Sequence, residues 1–109
     1  MPDLKYKVNI RFAKLGLMRF ISHLDLMRVF QRSLRRTGLA LYFTEGFSPH
    51  PKISFRRALK LGLESENEEA VIILREQVSP VDFRERLQKQ LPEGIQIREV
   101  YMSSNQPRM

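Results

Sequence analysis

The side chains whose type and spacing most directly suggest chemistry are four arginines. At 100° per residue, Arg28, Arg32, Arg35 and Arg36 fall within about a third of a helix circumference. Leu26, Met27, Phe30 and Leu34 fall opposite. No acid stands at the i+4 positions, so this exposed face lacks the mixed charge of an ordinary solvated helix. A guanidinium fork holds phosphate oxygens in pairs, and a row of forks at helical spacing suits a sugar–phosphate backbone. The alternative is that these arginines pair with Glu45, with the acidic stretch 64–69 or with a partner protein.

A second constellation lies downstream, in Gly46-Phe47-Ser48-Pro49-His50-Pro51-Lys52-Ile53-Ser54-Phe55-Arg56-Arg57. Aromatics, cations and hydroxyls alternate there on a backbone that its prolines stiffen, a mixture that stacks an unpaired base and holds its phosphate. Phe47 and Phe55 are expected to plug the core. Lys52, Arg56 and Arg57 have no such use and are read as a second phosphate contact.

Acid–base or metal chemistry has few candidates. His23 and His50, with Asp25 or Glu45, are the residues from which a proton-transfer pair for RNA cleavage or half a metal site would be built. His23 projects toward the apolar side of its helix, and His50 is wedged between prolines. There is no glycine-rich phosphate loop, nucleophile elbow or zinc-protease motif. Cysteine is absent, which excludes disulfides, thiol nucleophiles and cysteine-ligated zinc or iron–sulfur centres. No catalytic residue, metal or cofactor is therefore assigned.

These residues need elements to position them. With 109 residues the chain has one core, expected over residues 1–102, followed by a loose tail over 103–109. An apolar fraction of 42% places it among globular proteins. The net charge of +7 points to an anionic partner. No apolar run is long enough for a membrane helix and the first residues lack the apolar core of a secretory signal, so the expected location is the cytoplasm.

From Lys5 to Phe12 apolar and polar residues alternate, which predicts a half-buried strand, with a turn at 13–16 and either a hairpin arm or a lead into a helix at 17–21. Ser22-His23-Leu24-Asp25 has the form of a capping box, and the helix it opens should run to about Thr37 before Gly38. Leu39–Thr44 predicts a second strand, 53–63 an extended segment, 64–69 a solvated connection and Ala70–Leu74 a central strand. Ser79-Pro80 opens a second helix, with Phe83, Leu87 and Leu91 on one face, and 95–101 closes as a strand. The order strand, helix, strand, strand, helix, strand is that of an α+β ferredoxin-like split βαβ sandwich, a mainly antiparallel sheet with two helices on one face. The first strand is usually an inner one in that topology, which would place Lys5, Lys7 and Arg11 on the open face.

The stretches Arg19-Phe20-Ile21-Ser22-His23-Leu24-Asp25-Leu26-Met27-Arg28, Leu34-Arg35-Arg36-Thr37-Gly38-Leu39 and Gly46 through Phe55 resemble a bacterial family of uncharacterised domains. Its members look like companions of radical S-adenosylmethionine proteins, fused to their C-terminal side or encoded beside them. The resemblance runs from about Lys5 to Val100 and is to the N-terminal portion of members that are generally longer. Residues 56–61 are more basic than the family's apolar, proline-containing run. Without a thiolate this chain holds no cluster, so the resemblance implies that radical chemistry belongs to a separate protein. This chain would then be a non-catalytic accessory domain that binds or presents RNA, tRNA or rRNA, for modification. The alternatives are a docking module for that enzyme without RNA contact, and a metal-independent ribonuclease using His23 or His50.

Overall fold

The computed structural model describes residues 4–58 and 60–103. Strand β1 spans Tyr6–Lys14, and a 3-10 turn at Gly16–Phe20 leads into helix α1, His23–Arg35. Strands β2 (Ile53–Phe55) and β3 (Ser65–Leu74), helix α2 (Pro80–Gln90) and strand β4 (Ile95–Met102) complete the chain. The sheet order is β2-β3-β1-β4 with every neighbouring pair antiparallel. This is the α+β ferredoxin-like sandwich that the element order predicts, with β1 and β3 inside.

Local sequence explains most of these elements. In β1, Val8, Ile10 and Phe12 are buried while Lys7 points outward, the period of two expected of a strand with one face in the core. Ser22 accepts from the Asp25 N–H at the start of α1, and Ser79 accepts from the Asp82 N–H at the start of α2, beside Pro80. Leu26, Phe30 and Leu34 from α1 meet Phe83 and Leu87 from α2 over the sheet. The Phe30 ring lies 5.0 Å from Phe12 and 5.4 Å from Phe55. Each such side chain stabilises the fold by roughly 1.5–3 kcal/mol through removal from water.

Four local expectations are corrected. The turn expected at 13–16 begins later, because Ala13 and Lys14 still belong to β1; of the two alternatives for 17–21 the structure takes the lead into the helix, as the 3-10 turn, and α1 ends at Arg35, two residues before the expected Thr37. The strand expected at Leu39–Thr44 is reduced to isolated bridges, Leu41 to Leu74 and Phe43 to Pro51. Beside β3, the Tyr42 N–H donates to Ile73, and Ile73 in turn donates to Lys52, so two separate segments share the edge. The chain leaves the edge between them because Pro49 and Pro51 have no N–H with which to continue a ladder. Of the extended segment 53–63, only Ile53–Phe55 pairs.

The largest correction concerns the acidic stretch, which is not a solvated connection but the first half of β3. Its acids are tolerated in a strand because cations meet them: Arg98 at Glu66, Arg57 at Glu68 and Arg56 at Glu69. Of the tail expected to be loose, Ser103 is described and its N–H donates to Lys7; residues 104–109 lie outside the described residues, as do 1–3.

Candidate nucleic-acid interface

Chain reversal at the β2 edge creates a loop, residues 43–51, that stands between two cationic surfaces. The Thr44 N–H donates to the His50 carbonyl at 2.9 Å, and the His50 N–H donates back to the Thr44 hydroxyl at 3.2 Å. Gly46 turns the tip with φ of 118°, a conformation that a side chain would resist. Phe47 at that tip is fully exposed, contrary to the core role expected of it. Phe55 does take the core role, edge-on to Phe12, Phe30 and His23.

On the helix side of the loop lies the C-terminal turn of α1. Arg35 donates to the Pro49 carbonyl at 2.9 Å, and its guanidinium lies 5.9 Å from the centroid of the Phe43 ring. Arg32 and Arg36 are exposed, and no carboxylate among the described residues lies within ion-pair distance of either. Arg28 differs, meeting Asp25 at 3.4 Å in an exposed pair worth about 0–1 kcal/mol.

On the sheet side, strand alternation turns Tyr42 and Lys52 toward the face that the helices leave open. Lys5 Nζ lies 4.9 Å from the Tyr42 ring centroid, Lys52 Nζ 5.9 Å and the Arg75 guanidinium 6.0 Å. Each cation–π contact at such a site is worth about 0.5–1 kcal/mol. The more important consequence is electrostatic: three cations from distant parts of the sequence converge on one aromatic ring. Along the same face, Lys7 is exposed and Arg11 pairs with Glu99 at 3.3 Å.

The residues singled out by sequence thus separate into three groups. Arg35 holds the loop from the helix layer, with Arg32 and Arg36 exposed near it at the same helix end, and Lys5 and Lys52 gather on the Tyr42 ring at the base of the loop. Arg56 and Arg57, read as free phosphate contacts, are taken up by Glu69 at 3.2 Å and Glu68 at 2.8 Å. Of the catalytic candidates, His23 packs on Phe55 with ring centroids 5.2 Å apart, Asp25 faces Arg28, and the His50 ring bonds to the Ser48 carbonyl at 3.0 Å. Among the described residues no three His, Asp or Glu side chains gather at metal-binding spacing.

Sequence reading missed Tyr42 and Arg75. The first was legible as the outward partner of buried Leu41 in an alternating run, and the second as the cation closing the apolar run of β3. Fold and surface define a class, a ferredoxin-like α+β domain with a basic, aromatic-tipped sheet edge. More particularly, the chain belongs to the family described as an uncharacterized protein conserved in bacteria (DUF2344), which matches residues 7–109. No curated protein and no solved structure matches it.

Proposed function

We propose that this domain binds RNA without catalysing its chemistry, and presents it to a separate enzyme. The observation that carries this reading is the Phe47 loop, which Arg35 holds at Pro49 and which is rooted beside the Tyr42 ring where Lys5, Lys52 and Arg75 converge, with Arg32 and Arg36 exposed near Arg35 at the same end of α1. Such an edge offers a stacking surface flanked by backbone neutralisation, the combination single-stranded RNA requires. In this reading Arg32, Arg36 and Lys52 take phosphates, Phe47 stacks a base and Arg35 positions the loop. The cytoplasm is its working compartment, with tRNA or rRNA as the substrate class. A radical S-adenosylmethionine protein is the partner suggested by the resemblance of residues 19–55 and by the lack of any cysteine in this chain.

The test is fluorescence anisotropy with labelled tRNA and rRNA fragments across a salt series. Binding should tighten steeply as salt falls, because each phosphate neutralised releases counterions. Absence of binding at low salt, or binding that survives the combined changes Arg32→Glu, Arg36→Glu and Lys52→Glu, ends this reading.

A further inference from the structure

The open face of the sheet divides into three rows that run across its strands. Val8, Ile10 and Phe12 turn toward the helices, so Lys7, Asn9, Arg11 and the residues directly opposite them share the outer face. One row is Arg56, Glu69, Arg11 and Glu99, where Arg56 meets Glu69 at 3.2 Å and Arg11 meets Glu99 at 3.3 Å. Its charge is answered within the protein. The middle row, Ser54, Val71, Asn9 and Tyr101, is neutral. The third row is cationic: Lys7 lies opposite Ile73, whose carbonyl accepts from the Tyr42 N–H and whose N–H donates to the Lys52 carbonyl. Lys5 and Arg75 stand by the Tyr42 ring at the end of that row. Among the described residues no carboxylate lies within ion-pair distance of Lys5, Lys7, Lys52 or Arg75.

The Tyr101 ring in the neutral row packs on no other ring and no cation among the described residues, and the residue is 49% exposed. Tyr6, by contrast, packs against the core, and Tyr42 is surrounded by cations. Beside Tyr101 an Asn9 amide N–H is taken by the Ser103 hydroxyl, and Val71 and Ile73 make a half-buried aliphatic floor. Two residues along a strand separate the neutral row from the cationic one, about 7 Å, and three strand spacings make the face about 14 Å wide. A single-stranded nucleic acid carries charge along its backbone and ring faces beside it, so phosphates on the cationic row set bases over the neutral row. The loop that presents Phe47 springs from Tyr42 and Lys52, which makes this face continuous with the edge already described.

We propose that an RNA strand held at the Phe47 loop continues across this face toward β4, its phosphates along Lys52 and Lys7 and one base on the Tyr101 ring. The inference rests on the RNA-binding reading and adds to it a direction, a second stacking residue and a minimum length. A strand that spans both aromatic positions needs about four or more nucleotides. It is single-stranded, because a duplex keeps its ring faces stacked on one another. Arg11, expected among the phosphate contacts, takes no part, since Glu99 holds it.

The experiment titrates the intact protein with fluorescein-labelled octauridylate, with diuridylate and an RNA duplex as comparisons. Tyr101→Ala should weaken octauridylate binding about tenfold, and Tyr101→Phe should bind like the parent. Lys7→Ala should reduce the slope of log affinity against log salt by about 1. The chain has no tryptophan, so Tyr101→Trp supplies a single indole, whose fluorescence octauridylate should quench saturably at the midpoint of the anisotropy titration. That readout reports stacking whatever Tyr101→Ala does to stability. Diuridylate and the duplex should both bind more weakly and leave the indole unquenched. Octauridylate binding that ignores Tyr101→Ala and Lys7→Ala, an indole that stays unquenched, or equal affinity for diuridylate or the duplex overturns this path and leaves the loop reading in place. Failure of octauridylate to bind the parent at low salt ends both.

Discussion

Arg35 donates to the carbonyl oxygen of Pro49 at 2.9 Å and rests its guanidinium 5.9 Å from the Phe43 ring, so the last turn of α1 grips the protruding loop at two places. One member of the arginine row is therefore committed to holding structure, while its neighbours Arg32 and Arg36 remain exposed. Residues that look equivalent on a helical wheel have different tasks.

That difference is measurable in RNA titrations at several salt concentrations. Arg32→Ala and Arg36→Ala should each reduce the slope of log affinity against log salt by about 1, the signature of a lost phosphate contact. Arg35→Ala should weaken binding through the loop and increase amide exchange at Thr44 and His50. An unchanged exchange rate at both amides would refute the positioning role.

Phe47 has no packing to lose. Phe47→Ala should leave stability within about 0.5 kcal/mol, as for other surface changes, yet weaken single-stranded RNA binding by about 1–3 kcal/mol if one base stacks on the ring. Phe47→Trp should retain affinity. Paired urea melts and anisotropy titrations decide this, and equal affinity for the alanine variant and the parent rules out stacking at that tip.

The buried cluster at Lys14 and Glu68 makes stability depend on pH in two windows. Burial alone would push the Glu68 carboxyl up, but the Arg57 fork, the Ser65 hydroxyl and the nearby Lys14 charge hold it below the ordinary carboxylate value. Its contribution is thus present above the ordinary value and is lost as pH falls through the depressed one. Lys14 is lowered by burial, against the raising effect of Glu68, so the folded state binds fewer protons there than the unfolded chain. Stability should accordingly rise as pH climbs from the lowered value toward that of free lysine. Glu68→Gln should cost roughly 1–3 kcal/mol at neutral pH and flatten the acid limb. Lys14→Met should be neutral or stabilising, by up to about 4 kcal/mol, and flatten the alkaline limb. Denaturant midpoints across the pH range check both signs.

Gly94 is the glycine least replaceable by alanine. Its φ is 101°, and an added Cβ would stand 2.7 Å from the Leu15 carbonyl oxygen and 2.7 Å from Met18 Cγ, where α2 and β4 meet the 3-10 turn. Gly46, at φ of 118°, has nothing within 4 Å of the same position. Gly94→Ala should therefore destabilise beyond the roughly 1–3 kcal/mol of backbone strain alone, and by more than Gly46→Ala. Comparable melting temperatures for the two variants would contradict this assignment.

The sequence by itself determined the parts of the protein whose cause is local. Alternation at Val8, Ile10 and Phe12 made a strand, the spacing of Leu26, Phe30 and Leu34 and of Phe83 and Leu87 made two helices, and Ser22 and Ser79 marked where those helices start. The element order then predicted the sandwich, and Arg32, Arg36, Lys5 and Lys52 were recognisable as surface charge. Only the tertiary structure decided what each polar group meets. The run 65–69 becomes a strand because Arg56, Arg57 and Arg98 reach its acids across the fold, and Tyr42 becomes a centre of charge because Lys5, Lys52 and Arg75 close on it. Phe55 entered the core while Phe47 did not, and Lys14 went inward beside Glu68. Periodicity records which face of an element is apolar, whereas the partner of a charge or a ring is set by strand register and by the path of a loop, which join residues far apart in the chain.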